Sequence, residues 1–338
     1  MKVAMLSPIS WRTPPRNYGP WELVASVLTE ALVRKGIDVT LFATGDSKTA
    51  GKLEWVCPSP FSEANNMDAK VWECLHISLL MEQAAKFDII HNHFDYLPLT
   101  YSQLIKTPMV TTIHGFSSEK IVPVYKKYNA LTDYISISDA DRNPQLRYTG
   151  TIYHGIDSSV FEFIPLKKEY LLFYGRIHPD KGTHTAIEIS KRCGIPLKIA
   201  GPIHDQRYYQ KAIAPLVDGK KIVYLGNLGQ AAGRKVLGMA KALLHPIHFD
   251  EPFGLSVAES MMCGTPVIAF NRGSMPELVI DGKTGFLVRN ITECIYAVKK
   301  LDQITAMDCR QFALSKFSIE TMMDDYIHVY EEILDRSR

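Results

Sequence analysis

Short apolar runs alternate with segments of helical period along the whole chain, and this alternation constrains the fold more than any other feature. The runs are apolar at consecutive positions, as strands are when helices cover both faces of a parallel sheet. The predicted strands are KVAML, DVTLFA, DIIH, MVTTI, YISIS and TIYH in the first half, and YLLFY, PLKIA, KIVYL, ALLHPI and PVIAF in the second. This pattern predicts right-handed βαβ units and an α/β fold of doubly wound parallel sheets.

The alternation lapses over residues 155–169 and resumes with a strand at Tyr170. A chain of 338 residues is also too long for one ordinary hydrophobic core. We therefore predict two Rossmann-like domains, residues 1–155 and 156–317, facing a central cleft. A helical period over 318–338 predicts a terminal helix that returns to the first domain. In such folds ligands bind at the carboxyl ends of the strands.

Composition and charge exclude several classes of protein. Lys and Arg number 38 against 36 Asp and Glu, so the net charge of +2 gives no general attraction to nucleic acid or to anionic membranes. The chain has no apolar stretch of the roughly 20 residues that span a bilayer, and its start lacks the apolar core of a signal peptide. Six scattered cysteines without a C-x-x-C pair are typical of reduced thiols. We expect a cytoplasmic protein, at most in peripheral contact with the inner membrane surface.

The stretch EPFGLSVAES places Glu251 just before a predicted helix and Glu259 inside it, among apolar residues. The helix start favours an anion such as phosphate, and Gly254 would let it approach the backbone. A buried carboxylate needs hydrogen-bond donors, and two adjacent ribose hydroxyls would supply them to Glu259. The alternative is an ordinary surface acid followed by a salt-bridged core acid.

The stretch YGRIHPDKG places Arg176 and Lys181 on either side of a predicted helix start near Gly182. Cations at a helix N-terminus oppose the helix dipole, so their placement favours a diphosphate between them. Their charges would then stabilise the leaving group as a glycosidic bond breaks. The alternative is a pair of solvated loop cations.

Five of the histidines that stand in predicted strands or just after them are candidates for a role. His114 ends MVTTI, a position where a lone histidine is usually structural. His91 and His93 would face the same side of their strand, but no acid or cysteine nearby completes a metal-ligand set. We therefore predict that this pair lines an acceptor pocket and that the protein has no metal site. For His245 and His248 we predict packing near the cleft.

Glu251 and Glu259 in E-P-F-G-L-S-V-A-E resemble the E-x7-E motif of the family 4 glycosyltransferases of the GT-B fold. The resemblance extends over nearly the whole chain and is nearest to a subgroup typified by a glycosyltransferase of avilamycin biosynthesis. The other segments that carry it are YGPWE, IHNHFDYLPL, VTTIHGF, SISDADR, HGIDSSVF, FYGRIHPDKG, IAGPI and CGTPVIAF.

The resemblance implies roles for individual residues. In the family, the first acid of the motif contacts the donor sugar and the second contacts the ribose. The implied catalytic residues are His114, Arg176, Lys181 and Glu251. The implied donor-binding residues are Gly19, Gly201, Pro252, Phe253, Gly254, Leu255 and Glu259. Trp21, His91 and His93 fall on the acceptor side, and Pro20 and Trp21 depart from the family's usual first loop.

The function implied is transfer of a hexosyl unit from a UDP- or GDP-sugar to a hydroxyl group, with retention of anomeric configuration. The acceptor would be a sugar, a lipid-linked compound or a small molecule, bound by the first domain. No metal or other cofactor is expected, because the leaving phosphate oxygen itself would accept the acceptor proton. The alternatives are a nucleotide-sugar epimerase and a non-catalytic protein that binds sugar nucleotides. A Rossmann dehydrogenase is disfavoured, since no G-x-G-x-x-G opens the first helix.

Overall fold

The chain forms two compact units in a computed structural model that describes residues 1–16, 19–64, 66–116 and 118–336. Unit 1 comprises Met1–Gly155 and Ile319–Arg338, and unit 2 comprises Ile156–Ser318. Each unit is built around its own parallel sheet with helices. The fold is therefore the two-domain α/β architecture that the alternation predicts.

The sheet of unit 1 has seven parallel strands among the described residues, in the order β3-β2-β1-β4-β5-β6-β7. Its strands are β1 (Lys2–Leu6), β2 (Asp38–Phe42), β3 (Lys52–Glu54), β4 (Ile89–Asn92), β5 (Met109–Ile113), β6 (Asp133–Ser136) and β7 (Gly150–Thr151). The strand order reverses between β1 and β4, and the loops that follow these two strands therefore diverge and leave a crevice.

The sheet of unit 2 has six parallel strands in the described part of the chain, in the order β10-β9-β8-β11-β12-β13. Its strands are β8 (Leu171–Tyr174), β9 (Leu197–Ala200), β10 (Ile222–Tyr224), β11 (Ala242–His245), β12 (Val267–Phe270) and β13 (Gly285–Val288). This is the Rossmann strand order, with its reversal between β8 and β11.

Helices connect the strands in both units. They are α1 (Pro20–Arg34), α2 (Ala69–Met81), α3 (Val122–Tyr128), α4 (Thr183–Cys193), α5 (Gln206–Tyr208), α6 (Gln230–Met239), α7 (Leu255–Met262), α8 (Met275–Leu278), α9 (Ile291–Lys299), α10 (Ala306–Phe317) and α11 (Ile319–Arg336). None of the described helices is long and apolar enough to cross a membrane.

The terminal helix α11 completes a core of unit 1. Met322, Tyr326 and Tyr330 are buried in the same apolar cluster as Val3 of β1 and Leu28 of α1. These three side chains recur every three or four residues and so lie on one face of the helix. Unit 1 is therefore discontinuous in sequence, because the chain passes through unit 2 before α11 joins it.

Two strands were absent from the sequence prediction, and one predicted strand is shorter in the structure. Lys52–Glu54 and Gly285–Val288 are edge strands; the first has no continuous apolar run, and the second is only four residues long. Of the predicted strand TIYH, only Thr151 belongs to the observed strand Gly150–Thr151. An edge strand is hydrogen-bonded to a neighbour on one side only and is often more exposed than a central strand. Its amino-acid composition is therefore a weak signal for predicting it.

The side chain of Tyr330 offers a test of how α11 stabilises unit 1. Its hydroxyl group lies 2.6 Å from Nδ1 of His91, and both side chains are fully buried. Replacing Tyr330 by Phe leaves this ring nitrogen without its partner, so we expect unit 1 to lose about 1–3 kcal/mol of stability. Hydrogen exchange of the α11 amides should quicken accordingly, whereas Tyr296→Phe, at an exposed tyrosine, should leave stability unchanged. Unchanged protection in Tyr330→Phe would contradict the importance of this hydrogen bond.

Candidate functional site

The loops that follow β8 and β11 meet at the reversal point of the unit 2 sheet. Gly182 caps the start of α4 with a φ of 72°, and a Cβ atom there would lie 1.9 Å from the carbonyl oxygen of Pro246. Only glycine permits this approach, because it lacks Cβ and tolerates positive φ. The contact holds the 175–182 loop against the 246–254 loop, so side chains from both can converge.

Lys181 and Glu251 form a hydrogen-bonded ion pair where these loops meet. The side chain of Lys181 is 17% exposed and that of Glu251 is 11% exposed. The ammonium group of Lys181 also lies 4.6 Å from the ring centre of Phe249. Lys181 is therefore not the solvated loop cation of the alternative reading, and its charge is held in a largely enclosed position.

His245 at the end of β11 is the third member of this group. Its Nε2 lies 3.4 Å from a carboxylate oxygen of Glu251. Burial acts to raise the pKa of Glu251, but the nearby ring of His245 and the charge of Lys181 outweigh it and hold the pKa at about 2. Burial lowers the pKa of His245 itself, although Glu251 opposes this effect. Glu251 is therefore a carboxylate at neutral pH, and His245 contacts it rather than merely packing.

Arg176 lies in the same loop as Lys181 and is bound by an acid that the sequence reading did not single out. Its guanidinium donates to Asp180 over 2.6 Å, and Asp180 also lies 2.6 Å from Nδ1 of His178. The backbone carbonyl of Asp180 accepts from the amide of His248 over 2.7 Å. Asp180 thus fixes the orientation of Arg176 and links the two loops. Together, Arg176, Asp180, Lys181, His245 and Glu251 are called the charged cluster below.

Helix α7 starts beside the charged cluster, as the sequence predicts. Gly254 caps it with a φ of 95°, and Leu255 is its first residue. Pro252 is partly buried, but the ring of Phe253 is 2% exposed and packs edge-on against Phe317 at 5.8 Å. The structure therefore places the ring of Phe253 in the core of unit 2, and the role of this residue in donor binding stays a prediction.

Glu259 lies one turn into α7 and has an electrostatic environment opposite to that of Glu251. Burial raises its pKa to about 8, and the charge of Arg234 on α6 only partly offsets this effect. Tyr174 at the end of β8 is close enough for Glu259 to help raise its pKa to about 12, after the larger effect of burial. Neither residue was predicted from the sequence: Arg234 lies outside the quoted motifs, and Tyr174 stands in YGRIHPDKG but was given no role.

Gly201 follows β9 and has a φ of 141°. A Cβ atom at this position would lie 1.9 Å from the carbonyl oxygen of Gly175. The glycine is therefore required by a backbone contact between the loops after β8 and β9.

In unit 1, four buried histidines form a second group, called the histidine cluster: His91, His93, His114 and His154. The ring centres of His91 and His93 are 4.0 Å apart, those of His93 and His114 are 5.0 Å apart, and those of His114 and His154 are 5.2 Å apart. Burial, followed by repulsion from neighbouring rings, places the pKa values of His91, His93 and His114 well below the ordinary histidine value. Burial lowers that of His154 to about 3, so all four are neutral at pH 7.

The structure gives His91 a structural role and corrects its assignment to an acceptor pocket. The residue is fully buried, with Nδ1 bound to Tyr330 and Nε2 lying 2.8 Å from Oγ1 of Thr112. Both ring nitrogens are thus occupied within unit 1. His93 is equally buried, and it reaches His114 through a hydrogen bond of 2.8 Å. Among the described residues, no group of three potential ligands is arranged to hold a metal ion.

Trp21 connects the histidine cluster with a cavity of about 410 Å³ in unit 1. Its ring stacks on His114 with a centre-to-centre distance of 5.5 Å, and it also lines the cavity. The cavity wall combines aromatic side chains with carboxylates: Trp11, Trp21, Phe94, Tyr96, Glu22, Glu73 and Asp95. Burial raises the pKa of Glu22 to about 7. A wall of this kind suits a polyhydroxylated ring, since aromatic faces cover its C–H groups and carboxylates accept from hydroxyls.

The first loop is only partly described. Gly19 caps α1 with a φ of 147°, and Pro20 is the first helical residue, as predicted. A Cβ atom at Gly19 would lie 2.9 Å from Pro15 and 3.1 Å from a carboxylate oxygen of Glu22. Glu22 is the acid of the motif YGPWE, to which the sequence reading gave no role, whereas Tyr18 lies outside the described residues.

Comparisons with known proteins agree with this architecture. The family model described as Glycosyltransferase Family 4 matches residues 22–158, and that described as Glycosyl transferases group 1 matches residues 157–308. A curated relative, glycogen synthase of Mycobacterium tuberculosis, is 26% identical over 98% of this chain and 94% of its own length.

Two solved structures share the fold. AviGT4, a glycosyltransferase involved in avilamycin A biosynthesis, is 21% identical with a TM-score of 0.73, over 99% of this chain and 98% of its own. Anabaena HepE in complex with UDP-glucose is 19% identical with a TM-score of 0.73, over 98% of this chain and all of its own (100%).

The raised pKa of Glu259 predicts a pH-dependent cost to stability. The folded-state pKa of about 8 exceeds the ordinary value of 4.5, so between these values the folded protein holds a proton that the unfolded chain has released. Stability should therefore fall as pH rises through this window, by up to about 1.4 kcal/mol per pH unit. Glu259→Gln removes this dependence, so in denaturant unfolding it should be more stable than wild type at pH 8 and not at pH 5.

The matched control is Glu188→Gln, which replaces a half-exposed carboxylate on α4 in the same unit. It corrects for the general effect of exchanging a carboxyl for an amide group. A constant difference between Glu259→Gln and wild type from pH 5 to pH 8 would show that the Glu259 carboxyl is ionised in the folded protein throughout.

Proposed function

Because the chain belongs to the family 4 glycosyltransferases and has the GT-B fold, we propose that it transfers a hexosyl unit from a nucleotide-diphosphate sugar to a hydroxyl group. The transfer proceeds with retention of anomeric configuration and without a metal ion. The observation that carries the proposal is the charged cluster, where Arg176 pairs with Asp180 and Lys181 pairs with Glu251 at the strand-order reversal of unit 2. In sheets of this type, ligands bind beside this reversal point.

The donor is assigned to unit 2. Arg176 and Lys181 would bind the diphosphate and stabilise the negative charge that develops on it as the glycosidic bond breaks. The backbone amides at the start of α7 provide further donors to a phosphate oxygen. Glu251, ionised and held by Lys181 and His245, would accept hydrogen bonds from the sugar hydroxyls. Likeness to a protein solved with UDP-glucose supports a UDP-sugar as the first donor to test, with GDP-sugars next.

Glu259 would hold the ribose. In the free protein its raised pKa favours the neutral acid, which can accept fewer hydrogen bonds than the carboxylate. Two ribose hydroxyls donating to the carboxylate would stabilise its charged form and lower the pKa. Donor binding should therefore be coupled to ionisation of Glu259.

The acceptor is assigned to unit 1 and its aromatic and acidic cavity. Trp21 lines this cavity and stacks on His114, which would contact an oxygen atom of the sugar being transferred. The leaving phosphate oxygen would take the proton from the acceptor hydroxyl, so no separate base is required. Positioning and charge stabilisation would then supply the rate enhancement.

The deciding experiment measures products by mass spectrometry after incubation with UDP- and GDP-sugars and a panel of sugar, lipid-linked and small-molecule acceptors. We expect equal amounts of a new glycoside and of free nucleoside diphosphate, with α-linked donors giving α-linked products in excess EDTA. A changed sugar without a glycoside would instead indicate an epimerase. Binding of sugar nucleotides without turnover of any substrate would indicate a non-catalytic protein.

Lys181→Ala should lower kcat/KM by about 2–4 kcal/mol in transition-state free energy, the scale of one lost charge stabiliser. It should also lower stability, because it leaves the buried carboxylate of Glu251 without its cation. The double variant Lys181→Met/Glu251→Gln removes both charges and should recover stability without recovering turnover. Lys241→Ala is the control, since Lys241 pairs with Glu169 elsewhere in unit 2. Near-normal turnover in Lys181→Ala would contradict the role of Lys181.

Binding of UDP-glucose should release protons between pH 6 and pH 8, because ribose contacts favour the ionised form of Glu259. A UDP-sugar is the right probe, since its phosphates carry no group with the second phosphate pKa near 6. Calorimetry in buffers of different ionisation enthalpy counts the released protons, and donor affinity should rise with pH over this range. Glu259→Gln should bind more weakly and release no protons. Equal proton release by the two proteins would exclude Glu259 as the coupled group.

A further inference from the structure

His93 and His114 form a hydrogen bond that leaves each ring with one unused nitrogen. Nδ1 of His93 lies 2.8 Å from Nε2 of His114. The other nitrogens, Nε2 of His93 and Nδ1 of His114, are buried and have no hydrogen-bond partner among the described residues. Such atoms are costly unless a ligand or another residue satisfies them.

The two rings must have complementary tautomers. Both histidines are neutral, so each ring carries one proton, and one ring must donate in the bond between them. If His93 donates through Nδ1–H, His114 carries its proton on Nδ1 and can donate to a ligand. If His114 donates through Nε2–H, its Nδ1 can only accept, and His93 then carries a proton on its own Nε2.

Burial favours the first arrangement. Each arrangement leaves one N–H group without a protein acceptor, either on His114 or on His93. His93 is fully buried, whereas His114 retains 8% exposure and lies against Trp21 of the cavity wall. Both nitrogens are themselves buried, but an N–H group on His114 belongs to the ring beside the cavity wall, where a bound substrate could satisfy it.

The surrounding side chains leave His93 little freedom to turn. Its ring lies 4.0 Å from that of His91, centre to centre, and His91 is itself fixed by hydrogen bonds to Tyr330 and Thr112. The hydroxyl of Thr112 is in turn 2.7 Å from that of Tyr326. His93 is therefore packed against a fixed neighbour and can hold His114 in one orientation.

We propose that His93 is a positioning residue that holds His114 as its Nδ1–H tautomer, so that His114 presents a hydrogen-bond donor to an oxygen atom of the sugar substrate. The inference rests on the proposed function, since it assumes that His114 contacts a sugar. His93 itself touches no substrate and acts only through His114. This role differs from both functions discussed above for His91 and His93, which are metal binding and lining an acceptor pocket.

The test combines the tautomer of His114 with turnover in the full-length protein. In protein with ¹⁵N-labelled histidine, long-range ¹⁵N–¹H spectra distinguish protonated from bare ring nitrogens, and His114→Gln identifies the signals of His114. We expect wild type to show protonated Nδ1 and bare Nε2. In His93→Asn the amide NH₂ can still donate to Nε2, so this pattern should persist. In His93→Leu it should be lost, with protonation shifting toward Nε2.

We expect kcat to depend on the tautomer of His114 rather than on the loss of packing at position 93. His93→Asn should keep kcat within about threefold of wild type, whereas His93→Leu should lower it by about tenfold or more with a smaller change in donor KM. The matched control is His76→Leu, which removes another fully buried histidine of unit 1 whose Nε2 binds the carbonyl of Ser7 at 2.9 Å. His76→Leu should lower the melting temperature but leave the His114 signals unchanged.

The outcomes separate this inference from the proposed function. Protonated Nε2 on His114 in wild type, or an unchanged tautomer in His93→Leu, overturns the positioning role whatever the activity. A shifted tautomer of His114 with a normal kcat also overturns the positioning role, since the protonation of His114 would then have no effect on turnover. If wild type transfers no sugar at all, the proposed function fails, while the spectra still decide whether His93 controls the tautomer.

Discussion

The ion pair between Lys181 and Glu251 is the interaction on which the unit 2 site depends. It forms because two loops from neighbouring parallel strands meet where the strand order reverses, and Gly182 lets their backbones touch. A buried ion pair contributes little net stability, because desolvation offsets its Coulomb energy. Its retention is better explained by function. It keeps a cation and a carboxylate ready in one place, where a diphosphate and a sugar could bind to them.

The two glutamates of the E-x7-E motif have identical side chains, but their different environments give their carboxyl groups different ionisation states. Glu251 has a cation and a histidine as partners, and its pKa is held at about 2. At Glu259 burial outweighs the charge of Arg234, and the pKa rises to about 8. The first is therefore a permanent charge, whereas the second gains its charge when hydrogen-bond donors arrive. Under the proposed function a ribose would supply such donors, so ribose binding and charge formation at Glu259 would be coupled.

The sequence alone predicts the α/β class, most of the strands and the family, because these depend on local periodicity and contiguous motifs. Lys181 and Glu251 are found in the same way, since each stands in a motif after a strand. Their direct contact is not predictable, because it depends on the register of two loops that are 70 residues apart in the chain. His91 was misassigned because strand alternation gives the side on which a residue lies but not its partners. Tyr330, which occupies that side, comes from the far end of the chain.

Charge is distributed differently in the two units, and burial explains the difference. In unit 2, the buried carboxylate of Glu251 keeps its charge because Lys181 and His245 lie beside it. In unit 1, desolvation is the largest effect on every ring of the histidine cluster, and it lowers their pKa values so that the rings stay neutral. Neutral rings influence one another through the direction of their hydrogen bonds rather than through charge–charge interactions. Unit 2 is therefore suited to stabilising a charged leaving group, and unit 1 to orienting uncharged hydroxyl groups by the placement of single protons.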